Sequence, residues 1–334
     1  PTRSANCGMS QTLRAVAIVA LLAYLTATVL LPPQFASPDP EASAVVVTGA
    51  SSGIGRAAAL ELSRRGFIVF AGIRKASDGN ALKALDTTGN IRTLQLDVTK
   101  PSQISAAVET VEAACKIDGR TLTSLVNNAG VTFKRPLETV EMSRVRQVFD
   151  VNYFGVLAVT QAFLPLLRKS QGRIVNVGSV QGVISMPMQG LYASSKFALE
   201  ALSDTLRLEL APHGIMVSMV NPGYINTAIR GKAKVKREDI TAYERREYGK
   251  IFDKLAAKAE EHAALAPPCC AMTDTDIVHA LTATRPATRY YPATGAVKAG
   301  RLFPASVAVF IIRCFSIHPI LDHIKDYLIL HLVM

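Results

Sequence analysis

The sequence predicts a doubly wound α/β domain, a parallel β-sheet with helices on both faces. Three observations carry this expectation. Short β-branched apolar runs alternate with longer stretches of helical spacing through the middle of the chain. The runs are continuously apolar rather than alternating, as in a sheet buried on both sides. A glycine-rich turn joins the first run to the first helical stretch. The chain has 334 residues, 49% of them apolar, which is ample for one large core and marginal for two. A single domain over residues 41–334 is therefore expected, preceded by a segment at 1–40.

The elements follow in order. Residues 15–31 (AVAIVALLAYLTATVLL) form a 17-residue uncharged run after Arg3 and Arg14, stopped by Pro32 and Pro33. As a helix it would be about 25 Å long, enough for a thin bilayer. It reads as an N-terminal membrane-anchor helix, with the endoplasmic reticulum as the expected compartment and the folded domain across the membrane from the basic N-terminus. A cleaved signal peptide, leaving a secreted or lumenal enzyme, is the alternative, because the order of basic, apolar and polar segments fits both. After the Pro-rich linker 32–40 come strand 44–48 (AVVVT), helix 53–65, and strands 67–71 and 91–96. Helix 101–115, strand 122–127, helix 141–169, strand 173–178, helix 190–211 and strand 215–220 complete the alternation.

The turn Thr48-Gly49-Ala50-Ser51-Ser52-Gly53-Ile54-Gly55 lies between the first strand and its helix. Glycines permit a tight turn and close approach of backbone to a pyrophosphate, and the helix N-terminus offers it free N–H groups and partial positive charge. A tight turn alone would also use glycine; the place between strand and apolar helix favours dinucleotide binding in a Rossmann arrangement. Farther on, Tyr192-Ala193-Ser194-Ser195-Lys196 puts a phenol and an ammonium on one helix face. A nearby cation favours the phenolate and equips the pair for proton transfer. Ser179 precedes Tyr192 by 13 residues, and Asn152 precedes Ser179 by 27.

The glycine spacing G-x-x-x-G-x-G and this Asn–Ser–Tyr–Lys order resemble the short-chain dehydrogenase/reductase family. The resemblance implies hydride transfer between a nicotinamide and an alcohol or ketone carbon. It implies that Tyr192 gives or takes the proton and that Ser179 hydrogen-bonds the substrate oxygen. Lys196 would tune Tyr192 and bind the nicotinamide ribose, and Asn152 would hold a water joining Lys196 to solvent. It further implies cofactor contacts from the turn residues Thr48, Gly49, Ser51, Ser52, Gly53, Ile54 and Gly55. Asp97 resembles the adenine-contacting acid, with Val98 beside it. Asn127, Ala129 and Gly130 resemble the segment that supports the central sheet and lines the cofactor cleft, and Pro222, Gly223 and Thr227 the segment holding the carboxamide. Gly72 stands where NAD-selective relatives carry an acid, and Arg74 and Lys75 follow. A guanidinium suits a 2′-phosphate, so NADP(H) is expected over NAD(H); a merely exposed Arg74 would leave both open.

The substrate side is less defined. Residues 229–266 are charged and helix-prone, a lid or a solvated helix pair. Arg289-Tyr290-Tyr291 and Gly295-Ala296-Val297-Lys298 resemble the tail of the retinol- and hydroxysteroid-dehydrogenase branch. Residues 304–315 and 327–334 are apolar but too short to span a bilayer. With the anchor, they point to a lipophilic retinoid- or steroid-like substrate. A 3-ketoacyl or hydroxy-acid enzyme on the same fold is the alternative, and a non-catalytic cofactor-binding scaffold another. The family pairs through helices at 141–169 and 190–211, so a homodimer or homotetramer is expected. The net charge is +11, from 37 basic and 26 acidic residues. Many of these charges lie at 230–261 without zinc spacing or a recognition-helix motif, so a solvated face is expected rather than nucleic-acid binding. The five cysteines (7, 115, 269, 270 and 314) fit no metal or disulfide spacing and read as free thiols.

Overall fold

The computed structural model describes residues 34–223, 225, 235, 237–265 and 273–292. The expected anchor at 15–31, Thr227, the first residues of the 229–266 segment and the apolar tail after residue 292 lie outside the described residues. Seven parallel strands form one sheet in the order β3-β2-β1-β4-β5-β6-β7. They are β1 (Ser43–Val47), β2 (Ile68–Ile73), β3 (Ile91–Gln95), β4 (Thr121–Asn127), β5 (Arg173–Val177), β6 (Met216–Val220) and β7 (Arg289–Tyr290). The helices are α1 (Gly53–Arg64), α2 (Ala76–Leu85), α3 (Pro101–Asp118), α4 (Met142–Phe149), α5 (Gly155–Ser170), α6 (Gly190–Leu210), α7 (Ala242–Leu265) and α8 (Thr273–Thr282).

The apolar runs face both ways. On β1, Val45 and Val47 pack with Ala58, Ala59 and Leu62 of α1 and Ile277, Val278 and Leu281 of α8. Ala44 and Val46 belong to the opposite core, with Ile104 and Val111 of α3 and Val159, Phe163 and Leu167 of α5. The period of two along a strand sends successive side chains into two separate cores, which is why residues 44–47 carry no polar side chain. Among the described residues, one helical run, Met142–Ser170, is long and apolar enough to cross a membrane by length and composition. Its residues Phe163 and Leu167 are fully buried in the domain's own core.

Strand order reverses between β1 and β4. Chain connections leave these neighbours in opposite directions and open a crevice beyond their carboxyl ends, the place for a ligand in such a sheet.

Helix 141–169 is expected as one element but arrives in three parts. A π-helical turn at Asp150–Phe154 separates α4 from α5. Strand β7, helix α2 and helix α8 are additions to the predicted elements.

Candidate active site

The glycine turn fills one side of the crevice. Gly49 has φ of +64°, and a Cβ there would sit 2.8 Å from the Ala129 Cα. A Cβ on Gly55 would collide with the Asn128 amide and lie 2.6 Å from the Gly49 carbonyl oxygen. The turn after β4 grips the turn after β1. Thr48 Oγ1 accepts from the backbone N–H groups of Asn128 and Ala129, both at 3.0 Å. Asn128 Nδ2 donates to the Thr48 and Gly49 carbonyls at 3.0 and 3.1 Å. Ser51, Ser52, Gly53 and Ile54 remain half-buried at the rim. Ser52 is the N-cap of α1, yet its side chain makes no capping bond. The first-turn amides of a helix are therefore left to an anion. This donor set fits the pyrophosphate of a dinucleotide.

Farther along the edge, Gly72 is buried, and a Cβ there would approach Leu96 Cδ2 to 3.0 Å and the Val47 carbonyl to 3.3 Å. Arg74 and Lys75 are exposed just beyond it. Burial alone would raise the Asp97 carboxyl, but bonds from the Thr99 amide and hydroxyl, with Arg74 and Lys100 nearby, hold it below the usual carboxylate range. Asp97 is half-buried beside this cationic pair, whereas Val98 is buried in the core and packs against Gly155. Asn127 is also turned away from the crevice. Its amide donates at 2.9 Å to both Thr160 and Asn176 inside the sheet layer.

The four residues of the Asn–Ser–Tyr–Lys set meet beyond β4 and β5. Ser179 follows the end of β5, near enough to Tyr192 to favour its phenolate, and its hydroxyl accepts from the Gln181 N–H at 3.2 Å. Helix α6 carries Tyr192 and Lys196 one turn apart, and Lys196 Nζ lies 5.8 Å from the Tyr192 ring centroid. Lys196 is 4% exposed and donates to the Val177 carbonyl at 2.8 Å. A Cβ on Gly130 would lie 3.5 Å from Asn152 Oδ1 and 3.8 Å from Lys196 Nζ, so Gly130 marks where those two groups converge. Asn152 sits in the π turn, where an extra residue widens the helix and turns its side chain inward. Its amide bonds the N–H and C=O of Val131 and the Ser195 hydroxyl, each at 2.9 Å.

Electrostatics add a finding. Burial pushes the Lys196 ammonium down to about 8, against support from Glu200. Burial pushes the Tyr192 phenol up, against the opposing influence of the Ser179 hydroxyl. A lowered phenol is the sequence expectation; in the chain alone, burial raises it instead.

Pro222 is buried and Gly223 half-buried after β6, joined to the Ser179 loop by the Val180 N–H donating to the Pro222 carbonyl at 3.1 Å. Sequence reasoning missed three contributors: Asn128, Asn221 and Glu200. The first two lie inside the Asn-Asn-Ala-Gly and Asn-Pro-Gly turns, and their burial marks them only once the strands are side by side. Of Glu200, the spacing of four from Lys196 was the available signal.

Segment 229–266 contributes α7, docked on residues 135–139. Tyr243 and Tyr248 donate to the Glu138 carboxylate, and Thr139 donates to Glu244 at 2.6 Å.

Comparison with known proteins agrees with this geometry. The sequence model of the family described as short chain dehydrogenase matches residues 43–238. The chain is 37% identical over 261 residues to D-beta-hydroxybutyrate dehydrogenase, mitochondrial, of Mus musculus, covering 75% of this chain and 76% of that protein. It is 38% identical over 265 residues to estradiol 17-beta-dehydrogenase 2 of Mus musculus, covering 75% and 68%. It is 34% identical over 261 residues to retinol dehydrogenase 16 of Homo sapiens, covering 74% and 79%. The crystal structure of a short-chain dehydrogenase from Streptomyces avermitilis superposes with a TM-score of 0.64 at 28% identity, over 82% of this chain and 98% of that one. The matched span runs from β1 past β6, so it contains both the gripped glycine turn and the phenol–ammonium pair. This chain belongs to the short-chain dehydrogenase family, as an NAD(P)-dependent oxidoreductase acting on CH–OH and C=O groups.

Proposed function

We propose that the chain interconverts an alcohol and a ketone or aldehyde on a lipophilic, retinoid- or steroid-like substrate, with Tyr192 as proton donor and acceptor and NADP(H) preferred. The observation that carries the reading is the phenol of Tyr192, near Ser179 and one helical turn from a buried ammonium, at the carboxyl edge of β5. The nicotinamide cofactor supplies or accepts the hydride. The chain's own groups do the rest. Ser179 and Tyr192 hold the substrate oxygen from one side. Tyr192 protonates it during reduction and removes the hydroxyl proton during oxidation. Lys196 places positive charge beside the phenol, which makes loss of its proton easier. Asn152 has its side chain tied to Val131 and Ser195, so a water joining Lys196 to solvent would be held through its backbone. Pro222, Gly223 and Thr227 would hold the carboxamide, and Ala129 and Gly130 would leave the cleft open.

Preference for the 2′-phosphate is supported by exposed Arg74 and Lys75 and by Gly72, where a side chain would press on Leu96. Arg74→Ala is expected to raise the KM for NADPH by about tenfold, the worth of one charge-assisted hydrogen bond, with little change for NADH. Equal effects on both would remove the assignment.

A hydroxy-acid substrate is the second reading. It is favoured by 37% identity to the mouse hydroxybutyrate enzyme and by the polar pair Gln181 and Gln189, bonded at 2.5 Å beside Ser179 and Tyr192. An intact Asn–Ser–Tyr–Lys set speaks against a non-catalytic scaffold. The test is a substrate panel of retinoids, steroids, ketoacyl compounds and short hydroxy acids, with Tyr192→Phe beside the wild type. Turnover in the variant should fall by about 10²- to 10⁴-fold, the range of general acid–base catalysis. Unchanged turnover would end the mechanism, and activity on hydroxybutyrate alone would end the lipophilic reading.

Attachment to a membrane through residues 15–31, in the endoplasmic reticulum, belongs to the same proposal, as does a substrate lid at 229–266. So does a homodimer or homotetramer through residues 141–169 (α4, the π turn and α5) and α6, supported by the exposed rings of Phe154 and Phe197.

A further inference from the structure

We propose that Glu200 is a positioning residue: fixed by Arg289 of the edge strand, its carboxylate sets the amide orientation of Asn221, and Asn221 in turn sets both Ser179 and the Pro222-Gly223 segment. The chain of contacts is continuous. Ser179 N–H donates to Asn221 Oδ1 at 3.0 Å. Asn221 Nδ2 donates to Glu200 Oε1. Arg289 Nε lies 3.1 Å from Glu200 Oε2, and Arg289 also meets Asp204 at 2.5 Å. The backbone of Asn221 is held from the same strand, its N–H donating to the Tyr290 carbonyl at 2.7 Å. Gly178 makes the room, since a Cβ there would collide with Asn221 Oδ1.

An asparagine amide can face either way, and the two orientations differ only in which atom is donor and which acceptor. Here Asn221 is fully buried and must accept from Ser179 N–H. The opposite orientation would set two donors against each other. A carboxylate accepts only, so Glu200 allows one orientation and rejects the other. A glutamine in its place could donate or accept and would discriminate far less.

Stability is a weak reason for such a pair. Taking a carboxylate and a guanidinium out of water costs about as much as their attraction returns, and apolar residues often do as well. Glu200 is also flanked on α6 by Lys196 before it, Asp204 and Arg207 after it, and faces Arg289 from β7 and Gly182 from the turn Val180–Gly182. It therefore lies one turn from the catalytic ammonium and two bonds of the relay from the serine. Burial raises its carboxyl, and Arg289 opposes that rise.

The inference goes beyond substrate identity and holds for either nicotinamide cofactor. It rests on the assignment of Ser179 and Pro222-Gly223 to the site. The test compares wild type, Glu200→Gln, Glu200→Asp and the double variant Glu200→Ala with Arg289→Met, as full chains. Thermal unfolding is measured for each. Binding of NADPH and of 2′-phospho-ADP-ribose, which lacks the nicotinamide, is measured by calorimetry, with NADH and ADP-ribose as the second pair. The double variant and Glu200→Gln should unfold near the wild-type temperature and bind the dinucleotide about tenfold more weakly, the loss of one hydrogen bond to a charged group. Both should bind the nicotinamide-free analogue as wild type does. Glu200→Asp, which keeps the acceptor, should recover part of the difference. If the double variant fails to fold, Glu200→Gln alone decides. Equal weakening of both ligands, or of neither, would overturn the relay. Equal wild-type affinity for dinucleotide and analogue would overturn the site assignment beneath it, and so the two failures are distinct.

Discussion

At the scale of single residues, Lys196 carries the sharpest conflict. Its ammonium is buried, touches one carbonyl, and is pushed down to about 8. In the unfolded chain a lysine titrates near 10.4. Below pH 8 both states hold the proton, and the folded state bears the full cost of burying it. Between about 8 and 10.4 the unfolded chain binds a proton that the folded chain does not, so this residue's contribution to stability rises with pH across that window. Lys196→Met removes the cost at every pH. Its advantage in Tm over wild type, whatever its absolute size, should therefore be larger at pH 7 than at pH 10, as read by calorimetry at both values. An advantage independent of pH would mean that Lys196 is not depressed. The same titration predicts that kcat/KM for carbonyl reduction declines as pH rises through about 8, because the free enzyme loses the charge beside Tyr192.

Elements position these residues by gripping one another's ends, and the asparagine after β4 does this for the turn after β1. Asn128→Ala would leave the Thr48 and Gly49 carbonyls without their side-chain donor. The cost should be about 1–3 kcal/mol, with a lowered Tm. Because the turn is also the dinucleotide seat, affinity for ADP-ribose should fall together with affinity for the whole cofactor. Loss of Tm with unchanged ADP-ribose binding would show that the grip only stabilises. What the sequence made legible at this scale follows from pattern strength. Strands such as Ser43–Val47 are buried at every position, and no surface residue confuses the run. The Tyr192 and Lys196 pair is local, so spacing alone brings it together. Helix α2 was not legible because Gly79 and Leu82 are its only buried residues, too few to set a period. Strand β7 has two residues, and only its pairing of Met219 with Arg289 and Val220 with Tyr290 defines it. The π turn at Asn152 was hidden for a different reason: one extra residue leaves the surrounding helical periodicity intact. Asn127 stands in a segment expected both to support the sheet and to line the cleft, and its side chain serves the first of these, bonded inside the sheet layer.

Across the whole molecule, one side chain joins the two ends of the described chain to the sheet. Arg173 begins β5 and is buried. Its guanidinium donates to the Ala280 and Ala283 carbonyls at the end of α8, at 3.1 and 2.6 Å, and to the Ala36 carbonyl of the entering segment at 2.7 Å. Burial pushes the guanidinium down to about 10, with Tyr290 opposing the shift. No carboxylate faces it in these contacts; carbonyl dipoles alone hold the charge. The entering segment is secured at neighbouring points as well, with the Phe35 N–H donating to the Thr284 carbonyl and the Ser37 hydroxyl to the Thr282 carbonyl. Arg173→Met keeps bulk and removes three donors from buried carbonyls. Unfolding should become easier by about 3 kcal/mol, since bonds from a charged donor are worth 1.5–3 each and relief of the buried charge offsets part of the loss. For a domain of this size that is a Tm lower by roughly 6–12 °C. Proteolysis supplies the spatial half of the test, because cleavage should begin in residues 34–40 and in the 283–288 loop while the sheet stays protected. A variant that melts lower without new cleavage there would place the loss inside the sheet and refute the tether.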